Sequence, residues 1–410
     1  MIVKPFAAVR PLDELAADAS SLPAGSNERE SLMGTLSALD INDSDLPDSS
    51  EPTAVYEAGR RMLDELIAKG TFIVDDSPCF YLYELEQNGH SQVGVVGCCS
   101  IDDYADCTIK KHENTIAQKA ASVVRRLDTL NMQTGPIYLA YRDEEDVDAI
   151  VDEALKSDPL YSFVSKEGVT NTVWRISDPA VVEALQQAFT KVPTAYIADG
   201  HHRTAASVDV GFMRREKNGT FVGTTEADYF MSVLFPANQL SIQSFSRLVR
   251  DLNGLTDVEF IERLTGKDGS YDLLCEQEDP FEPSKKGEMG VYVGGRWYGV
   301  AVHDSLITDD PVFSLDVALL QTYVLCPILG IDDPRTDGRL QFVRAADGAG
   351  KLISRVDAID EDGGQAVGFT MYPTAIEEFL RVADAGRLMP PKSTCFEPKL
   401  RSGLFIHDLS

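Results

Sequence analysis

Residues 199–203, with the sequence Asp-Gly-His-His-Arg, place a carboxylate, two imidazoles and a guanidinium side by side. The apolar residues 194–198 before them and the helical character of residues 204–217 after them predict a strand, a turn and a helix. A helix N-terminus has unpaired N–H groups and a positive dipole end, so it attracts anions. Imidazole and guanidinium groups add donors that suit phosphate oxygens. We interpret residues 199–203, called the DGHHR turn below, as the candidate active site.

Each residue of this turn has a chemical role and an ordinary alternative. Asp199 could orient a histidine or substrate hydroxyl, accept a proton or hold a metal ion, and Gly200 suits a tight turn. His201, His202 and Arg203 would bind phosphate and stabilise charge on a transferring group. The alternative is a helix cap at Asp199 followed by solvated residues of the first turn. The five residues together, at a strand-to-helix junction, favour the phosphate site.

A second cluster of reactive side chains lies in residues 108–115 and includes Lys110, His112 and Glu113. A lysine supplies a point charge for phosphate, while histidine and glutamate are candidate acids and bases. Glu113 is our candidate base, and Lys110 and His112 would complete the pocket. The alternative is a solvated helix start with mixed charges.

A third cluster, Lys392-Ser393-Thr394, follows two prolines that make the backbone rigid. It lacks the glycines with which a nucleotide P-loop surrounds phosphate, so a P-loop is rejected. We expect a lysine on a rigid loop, reaching with its neighbours into a phosphate pocket built elsewhere.

The sequence does not favour a structural metal. His201 and His202 are adjacent, about 100° apart on a helix, so they do not easily chelate one ion. No His-Glu-x-x-His or Cys-x-x-Cys spacing occurs. Magnesium arriving with ATP or ADP, held by Asp199 or Glu113, fits the residues better.

Composition sets the class of protein and of ligand. The 410 residues carry a net charge of −29, which disfavours nucleic acid and anionic membranes as partners. A locally basic pocket in such a chain suits a small phosphorylated ligand. No apolar run approaches the ~20 residues that span a bilayer, and the N-terminus lacks the features of a signal peptide. We expect a cytoplasmic protein.

Strand-like and helix-like segments alternate along the chain, which predicts a mixed α/β fold. The clearest are a helix over 54–70, a hairpin turning at 88–89, a hairpin turning at 294–295 and a buried helix over 314–328. The length predicts several domains, with an α/β region at 1–130, a core region carrying the DGHHR turn at 131–255 and a second α/β region at 256–410.

The chain resembles the uncharacterised prokaryotic family called domain of unknown function 1015. The resemblance covers essentially the whole chain and is most specific at ADGHHR and at MPPKSTCFEPKLRSG, residues 389–403. Further matching blocks are 4–6, 10–11, 109–115, 135–136, 173–176 and 235–247.

Two segments depart from the family pattern. Residues 22–26 replace an early Pro-Tyr-Asp motif, and residues 120–124 replace an acidic-Arg pair. If those segments contact substrate, this member has altered specificity or has lost activity.

The DGHHR string also resembles the phosphate-binding motif of the partition protein B/sulfiredoxin-like superfamily, which includes free serine kinases. This resemblance implies such a core around residues 190–220 and phosphotransfer to a small hydroxyl substrate. Our leading hypothesis is a kinase that uses ATP or ADP to phosphorylate a hydroxylated metabolite such as free serine. The alternatives are a phosphate-ester or nucleotide hydrolase, a nucleotide-binding regulator without turnover, and a degenerate relative.

Overall fold

A computed structural model describes residues 1–19, 46, 51–115 and 117–410. Their contacts divide the chain into two compact units. The first comprises Met1–Leu240 with Pro398–Ser410, and the second comprises Ser241–Glu397. Within the described residues, no helix is long and apolar enough to cross a membrane.

Strands account for much of both units. In chain order they are β1 Val3–Lys4, β2 Val9–Pro11, β3 Phe72–Val74, β4 Phe80–Gln87, β5 His90–Ser100, β6 Ile109–Lys110, β7 Met132–Gln133, β8 Ile137–Tyr141, β9 Tyr161–Val164, β10 Thr170–Ile176, β11 Ala195–Asp199, β12 Tyr229–Pro236, β13 Ser241–Gln243, β14 Phe245–Val249, β15 Tyr271–Gln277, β16 Glu288–Val293, β17 Arg296–Val302, β18 Leu340–Arg344, β19 Val367–Met371, β20 Cys395–Glu397 and β21 His407–Asp408.

Helices connect and cover these strands. They are α1 Ala16–Ala19, α2 Pro52–Ala68, α3 Ile101–Ala105, α4 Ala117–Leu130, α5 Glu145–Ala154, α6 Pro179–Thr190, α7 His201–Asn218, α8 Asp257–Thr265, α9 Asp316–Leu320, α10 Ala349–Glu361 and α11 Ile376–Asp384. The mixed α/β class predicted from the sequence is confirmed.

The first unit is built on a mixed sheet with the strand order β6-β11-β8-β12-β5-β4-β10-β9, and β1 adds to β5. The pairs β6–β11 and β8–β12 are parallel, while β8–β11 is antiparallel. All five residues of β8 are buried, because the strand lies inside the sheet and contributes to a core that also includes side chains of α5, α6 and α7. This sheet therefore fixes β11, the strand that enters the DGHHR turn.

The second unit contains an antiparallel sheet with the order β15-β17-β16-β19-β14-β18. Its buried centre includes Leu248, Trp297 and Leu352. The hairpin predicted at residues 294–295 is confirmed, since both glycines have positive φ angles of 58° and 74°.

Local sequence signals predicted the correct elements in several places. The Glu51 side chain accepts a hydrogen bond from the N–H of Ala54, Pro52 starts α2, and Gly70 follows its end with φ 74°. The hairpin between β4 and β5 turns at residues 88–89, as predicted. The long helix predicted over 314–328 is wrong in part. α9 is followed by a π-helical turn, Gln321–Leu325, and apolar spacing does not distinguish these two hydrogen-bonding patterns.

The departure from the family pattern at residues 22–26 lies outside the described residues. The second departure, at residues 120–124, lies within α4.

Candidate functional site

The DGHHR turn begins where β11 ends. Asp199 is the last residue of the strand, Gly200 has φ 98° and ψ 24°, and α7 begins at His201. This backbone conformation strongly favours glycine, because a Cβ atom is strained at positive φ. The N-cap residue is Gly200, which has no side chain and so offers no capping acceptor to the first N–H groups of α7. The register of β11 shifts between Ile197 and Asp199, an irregularity of the kind that redirects a side chain at a strand end.

The second cluster of the sequence lies beside this turn. β6 runs parallel to β11, with Ile109 opposite Ala195 and Lys110 opposite Tyr196. Two residues beyond β6, the ring of His112 meets the ring of His201 edge-on, with centroids 4.6 Å apart at 80°. The alternative of a solvated helix start over residues 108–115 is wrong, because Ile109–Lys110 form a strand and His112 is buried.

The two facing histidines are buried, and burial controls their protonation. His112 is 3% exposed and His201 is 8% exposed. Burial lowers the pKa of His201 to about 4, with His202 and Lys111 lowering it further against the opposing effect of Asp199. Burial and the neighbouring His201 also hold the pKa of His112 well below its ordinary value. Both rings are accordingly neutral at pH 7.

One ring nitrogen of His201 lacks a hydrogen-bond partner among the described residues. This atom is Nε2, and it is buried. A buried polar atom without a partner costs free energy, so such atoms are uncommon and call for a functional or structural reason. A neutral imidazole nitrogen at this position can accept one hydrogen bond from a bound molecule or donate one to it.

Asp199 provides the negative charge of the site. Its side chain is 40% exposed, and its Oδ2 atom lies 3.5 Å from the Nζ atom of Lys399. Burial acts to raise the pKa of the carboxyl, but the positive charges of Lys399 and Arg203 outweigh it, and the pKa is lowered overall. Asp199 is therefore ionised at neutral pH.

Arg203 is positioned by a close approach to the chain around Gly135. A Cβ atom on Gly135 would lie 2.8 Å from the Nη1 atom of Arg203 and 2.7 Å from the Oγ atom of Ser402. The N–H of Gly403 donates to the carbonyl of Thr134 at 2.9 Å, which anchors the C-terminal segment there. The absence of a side chain at position 135 leaves the space that the guanidinium occupies.

Two further cations lie near the start of β11. The Nζ atom of Lys110 and the guanidinium of Arg142 lie 5.9 Å and 6.0 Å from the ring centroid of Tyr196. Tyr196 is buried within β11, three residues before Asp199. Their positions follow the register of β6 and β8, which places them closer to Tyr196 than to Asp199.

The remaining sequence-predicted residues are placed as follows. Glu113 follows His112 directly and is half-buried, and His202 is half-buried in the first turn of α7. Lys392, Ser393 and Thr394 belong to the second unit. There the carbonyl of Ser393 accepts a hydrogen bond from Thr374 at 2.9 Å, and the carbonyl of Lys392 accepts one from Arg247 at 3.0 Å. Their participation in the phosphate pocket stays a prediction.

The part of the chain that the structure describes contains no group of three or more histidine, cysteine or acidic side chains that could hold a metal ion. Magnesium usually keeps several waters and uses only one or two protein carboxylates beside substrate phosphates. The ionised carboxylate of Asp199 fits that limited role.

Sequence reasoning missed Lys399, Ser402 and Gly135 as members of the site. All three lie in blocks that match the family pattern, and the C-terminal block carries a second lysine besides Lys392. The repeated lysine was a usable signal, but only the tertiary fold shows that Lys399 is the one beside Asp199.

Comparison with known families agrees with the family resemblance found in the sequence. Residues 3–318 match the family described as protein of unknown function (DUF1015), and the chain belongs to this family. The comparison with curated proteins found no match.

Several solved structures are similar at low identity. A free serine kinase variant in complex with AMP is 13% identical, with a TM-score of 0.35, and the match covers 77% of this chain and 92% of that one. SbnI from Staphylococcus aureus is 11% identical over 76% of this chain and 87% of that one, with a TM-score of 0.38. A conserved hypothetical protein from Pyrococcus furiosus is 15% identical over 77% and 97%, with a TM-score of 0.33. Likenesses this distant carry no argument about activity.

Proposed function

We propose that this protein is a small-molecule kinase that transfers a phosphoryl group from ATP or ADP to a hydroxylated metabolite, with free serine as the first candidate. The observation that carries the proposal is the meeting of Arg203, Lys399 and ionised Asp199 at the N-terminus of α7, where the N-cap residue is a glycine. Cations beside the N–H groups of a helix N-terminus suit the oxygens of phosphate.

The residues of the site are of two kinds: groups that would bind phosphate, and the carboxylates Asp199 and Glu113. Arg203 and the first N–H groups of α7 would hold phosphate oxygens and stabilise the charge that develops during transfer. Neutral His201 would add one hydrogen bond through its buried Nε2 atom. A phosphate oxygen would in turn satisfy that nitrogen.

Asp199 is better suited to orientation than to proton transfer. A general base works best when its pKa lies near the working pH, and the pKa of Asp199 is lowered instead. We assign Asp199 to the substrate hydroxyl or to magnesium, which would neutralise phosphate charge when bound. Glu113 remains our candidate for the base that accepts the hydroxyl proton.

Phosphorus NMR of the purified protein tests the proposal. The sample contains magnesium, ATP or ADP, and a pool of serine and other small alcohols. We expect a new phosphomonoester signal, reduced at least about a hundredfold in rate by the double substitution His201→Ala/His202→Ala. His90→Ala, which changes an exposed histidine at the start of β5, is the matched control.

Other outcomes separate the alternatives. Release of inorganic phosphate without a phosphorylated acceptor would identify a hydrolase. Nucleotide binding without turnover would identify a regulator or a degenerate member of the family. If the double variant retained the full rate of phosphoryl transfer, the active site would lie outside the DGHHR turn.

A further inference from the structure

A buried arginine without a counter-ion lies in the second unit. Arg247 is 3% exposed and belongs to β14, between β18 and β19 of the antiparallel sheet. Its guanidinium donates to the carbonyl of Phe245 and, at 3.0 Å, to the carbonyl of Lys392. Among the described residues, no carboxylate forms an ion pair with it. Carbonyl groups carry no net charge, so the positive charge of Arg247 is not neutralised, and several of its five N–H donors remain for another acceptor.

Two exposed arginines of the same unit show the ordinary arrangement. The guanidinium of Arg335 lies 3.0 Å from Asp333, and that of Arg344 lies 3.2 Å from Asp347. At Arg247, by contrast, burial lowers the pKa to about 9, and no neighbouring acid offsets this effect. A buried charge without a partner costs free energy, so a bound anion would stabilise this part of the fold.

A second cation contacts the same residues. The Nζ atom of Lys392 lies 5.6 Å from the ring centroid of Phe245, whose carbonyl accepts the hydrogen bond from Arg247. Lys392 is exposed, and among the described residues no carboxylate forms an ion pair with it. The hydrogen bond from Arg247 to the carbonyl of Lys392 joins the two cationic residues directly. In a chain with a net charge of −29, they form a local positive site that favours an anion.

The loop that carries Lys392 is fixed in place. Lys392 has a φ angle of 55°, a conformation that is costly for a residue with a Cβ atom. The Oγ atom of Ser393 donates to the carbonyl of Pro390 at 2.6 Å, and the Oγ1 atom of Thr374 donates to the carbonyl of Ser393 at 2.9 Å. With the hydrogen bond from Arg247, these contacts hold the backbone on both sides of Lys392. Residues held in such conformations cluster at functional sites, and a fixed backbone lowers the entropy cost of binding.

We propose that Arg247 and Lys392 together bind the phosphate group of a small phosphomonoester in the second unit. A phosphomonoester carries a charge close to −2 at neutral pH, which two cations neutralise. The unused N–H donors of the guanidinium suit phosphate oxygens, and the lysine supplies a point charge. A single carboxylate has one negative charge and would leave one cation unpaired. The site uses residues of the second unit alone and does not depend on the proposed kinase activity.

Calorimetry with the full chain tests the class of ligand. Methyl phosphate is compared with dimethyl phosphate, which has the same central group but one negative charge, and with acetate, at one pH and one ionic strength. We expect methyl phosphate to bind at least about tenfold more tightly than either. Equal binding of methyl phosphate and dimethyl phosphate to the unmodified protein would overturn the proposal, and this comparison needs no variant.

Substitutions then locate the binding site. Lys392→Gln should weaken methyl phosphate at least about tenfold, and because Lys392 is exposed this variant leaves the packing of the sheet intact. Arg247→Lys, which keeps the charge but removes the paired donors, should weaken it as well. The matched control is Lys285→Gln, an exposed lysine of the same unit that lies 3.9 Å from Glu288, which should change the affinity by less than about twofold. Unchanged affinity in Lys392→Gln would overturn the proposal.

A variant of the first unit separates this site from the DGHHR turn. Methyl phosphate binding that depends on Lys392 and remains in Arg203→Gln supports the site, whether or not the protein transfers phosphoryl groups. Loss of all methyl phosphate binding in Arg203→Gln would assign the anion to the DGHHR turn and overturn the proposal. Phosphoryl transfer without any Lys392-dependent binding of methyl phosphate would leave the kinase proposal and remove this one.

Discussion

The first unit buries histidines in two contrasting ways. The Nε2 atom of His407 lies 2.8 Å from Glu226, and the same carboxylate lies 2.8 Å from the Nζ atom of Lys4. The Nε2 atom of His201, at the DGHHR turn, has no hydrogen-bond partner among the described residues. A paired buried histidine stabilises the fold, and we propose that a ligand supplies the missing bond of the open one.

The two regions also differ in whether a hydrogen bond offsets the effect of burial on the pKa of the histidine. The hydrogen bond from His407, opposed by burial and assisted by Lys4, lowers the pKa of Glu226 to about 2. Burial lowers the pKa of His407, and Glu226 opposes that effect. At His201 burial also dominates, but no hydrogen bond opposes it. The first cluster is therefore balanced within the protein, and we propose that a bound group completes the second.

The largest expected effect is a loss of stability in acid that depends on His201. Because burial lowers the pKa of His201 from 6.5 to about 4, the unfolded chain binds this proton more readily than the folded chain between those values. This contribution to stability is fully present above about pH 6.5 and is lost as the pH falls toward about 4, by up to about 3 kcal/mol.

Urea unfolding at a series of pH values checks this prediction. His201→Gln should flatten the pH dependence between about pH 6.5 and pH 4.5, and His90→Gln should leave it unchanged. An identical pH dependence in His201→Gln and the unmodified protein would show that His201 is not held neutral by burial.

A smaller loss of stability is expected at His407, whose hydrogen bond to Glu226 we interpret as structural. His407→Ala should lower the free energy of unfolding by about 2 kcal/mol, because it removes a buried ring and its hydrogen bond to Glu226. The exposed fraction of Glu226 and its contact with Lys4 limit this loss. Nucleotide binding by the folded variant should be unchanged. Denaturant unfolding measures the stability and calorimetry measures the nucleotide affinity. Reduced nucleotide affinity in the folded variant would contradict a purely structural role of His407.

The smallest expected change in stability is at Gly135. Gly135→Ala should alter the free energy of unfolding by less than about 1 kcal/mol, because its methyl group would meet the ends of two flexible side chains, Arg203 and Ser402. Since Arg203 must move, nucleotide affinity should fall by about fivefold.

Gly97→Ala is the matched control for this substitution. Its methyl group would lie 2.8 Å from the ring of Phe80 and 3.0 Å from Val3, in the packed core of the same sheet. It should cost about 2 kcal/mol of stability while the folded variant binds nucleotide normally. Calorimetry that finds unchanged affinity in Gly135→Ala would show that the position of Arg203 is unimportant for binding.

The sequence by itself determined the local parts of this protein. The strand, Gly200 and helix around residues 199–203 follow from apolar spacing and from a backbone position that needs positive φ. The start of α2 and the hairpin between β4 and β5 follow from capping and turn residues that act within a few positions. Such signals are short-ranged, so one segment of sequence contains all the interactions that produce them.

Only the tertiary structure decided which distant segments complete the site. The pairing of β6 with β11 brings His112 to His201, and the return of residues 398–410 to the first unit brings Lys399 to Asp199. Packing between distant segments likewise places the guanidinium of Arg203 beside Gly135. These contacts join residues far apart in sequence through sheet register and packing, and local residue patterns do not specify which segments become neighbours.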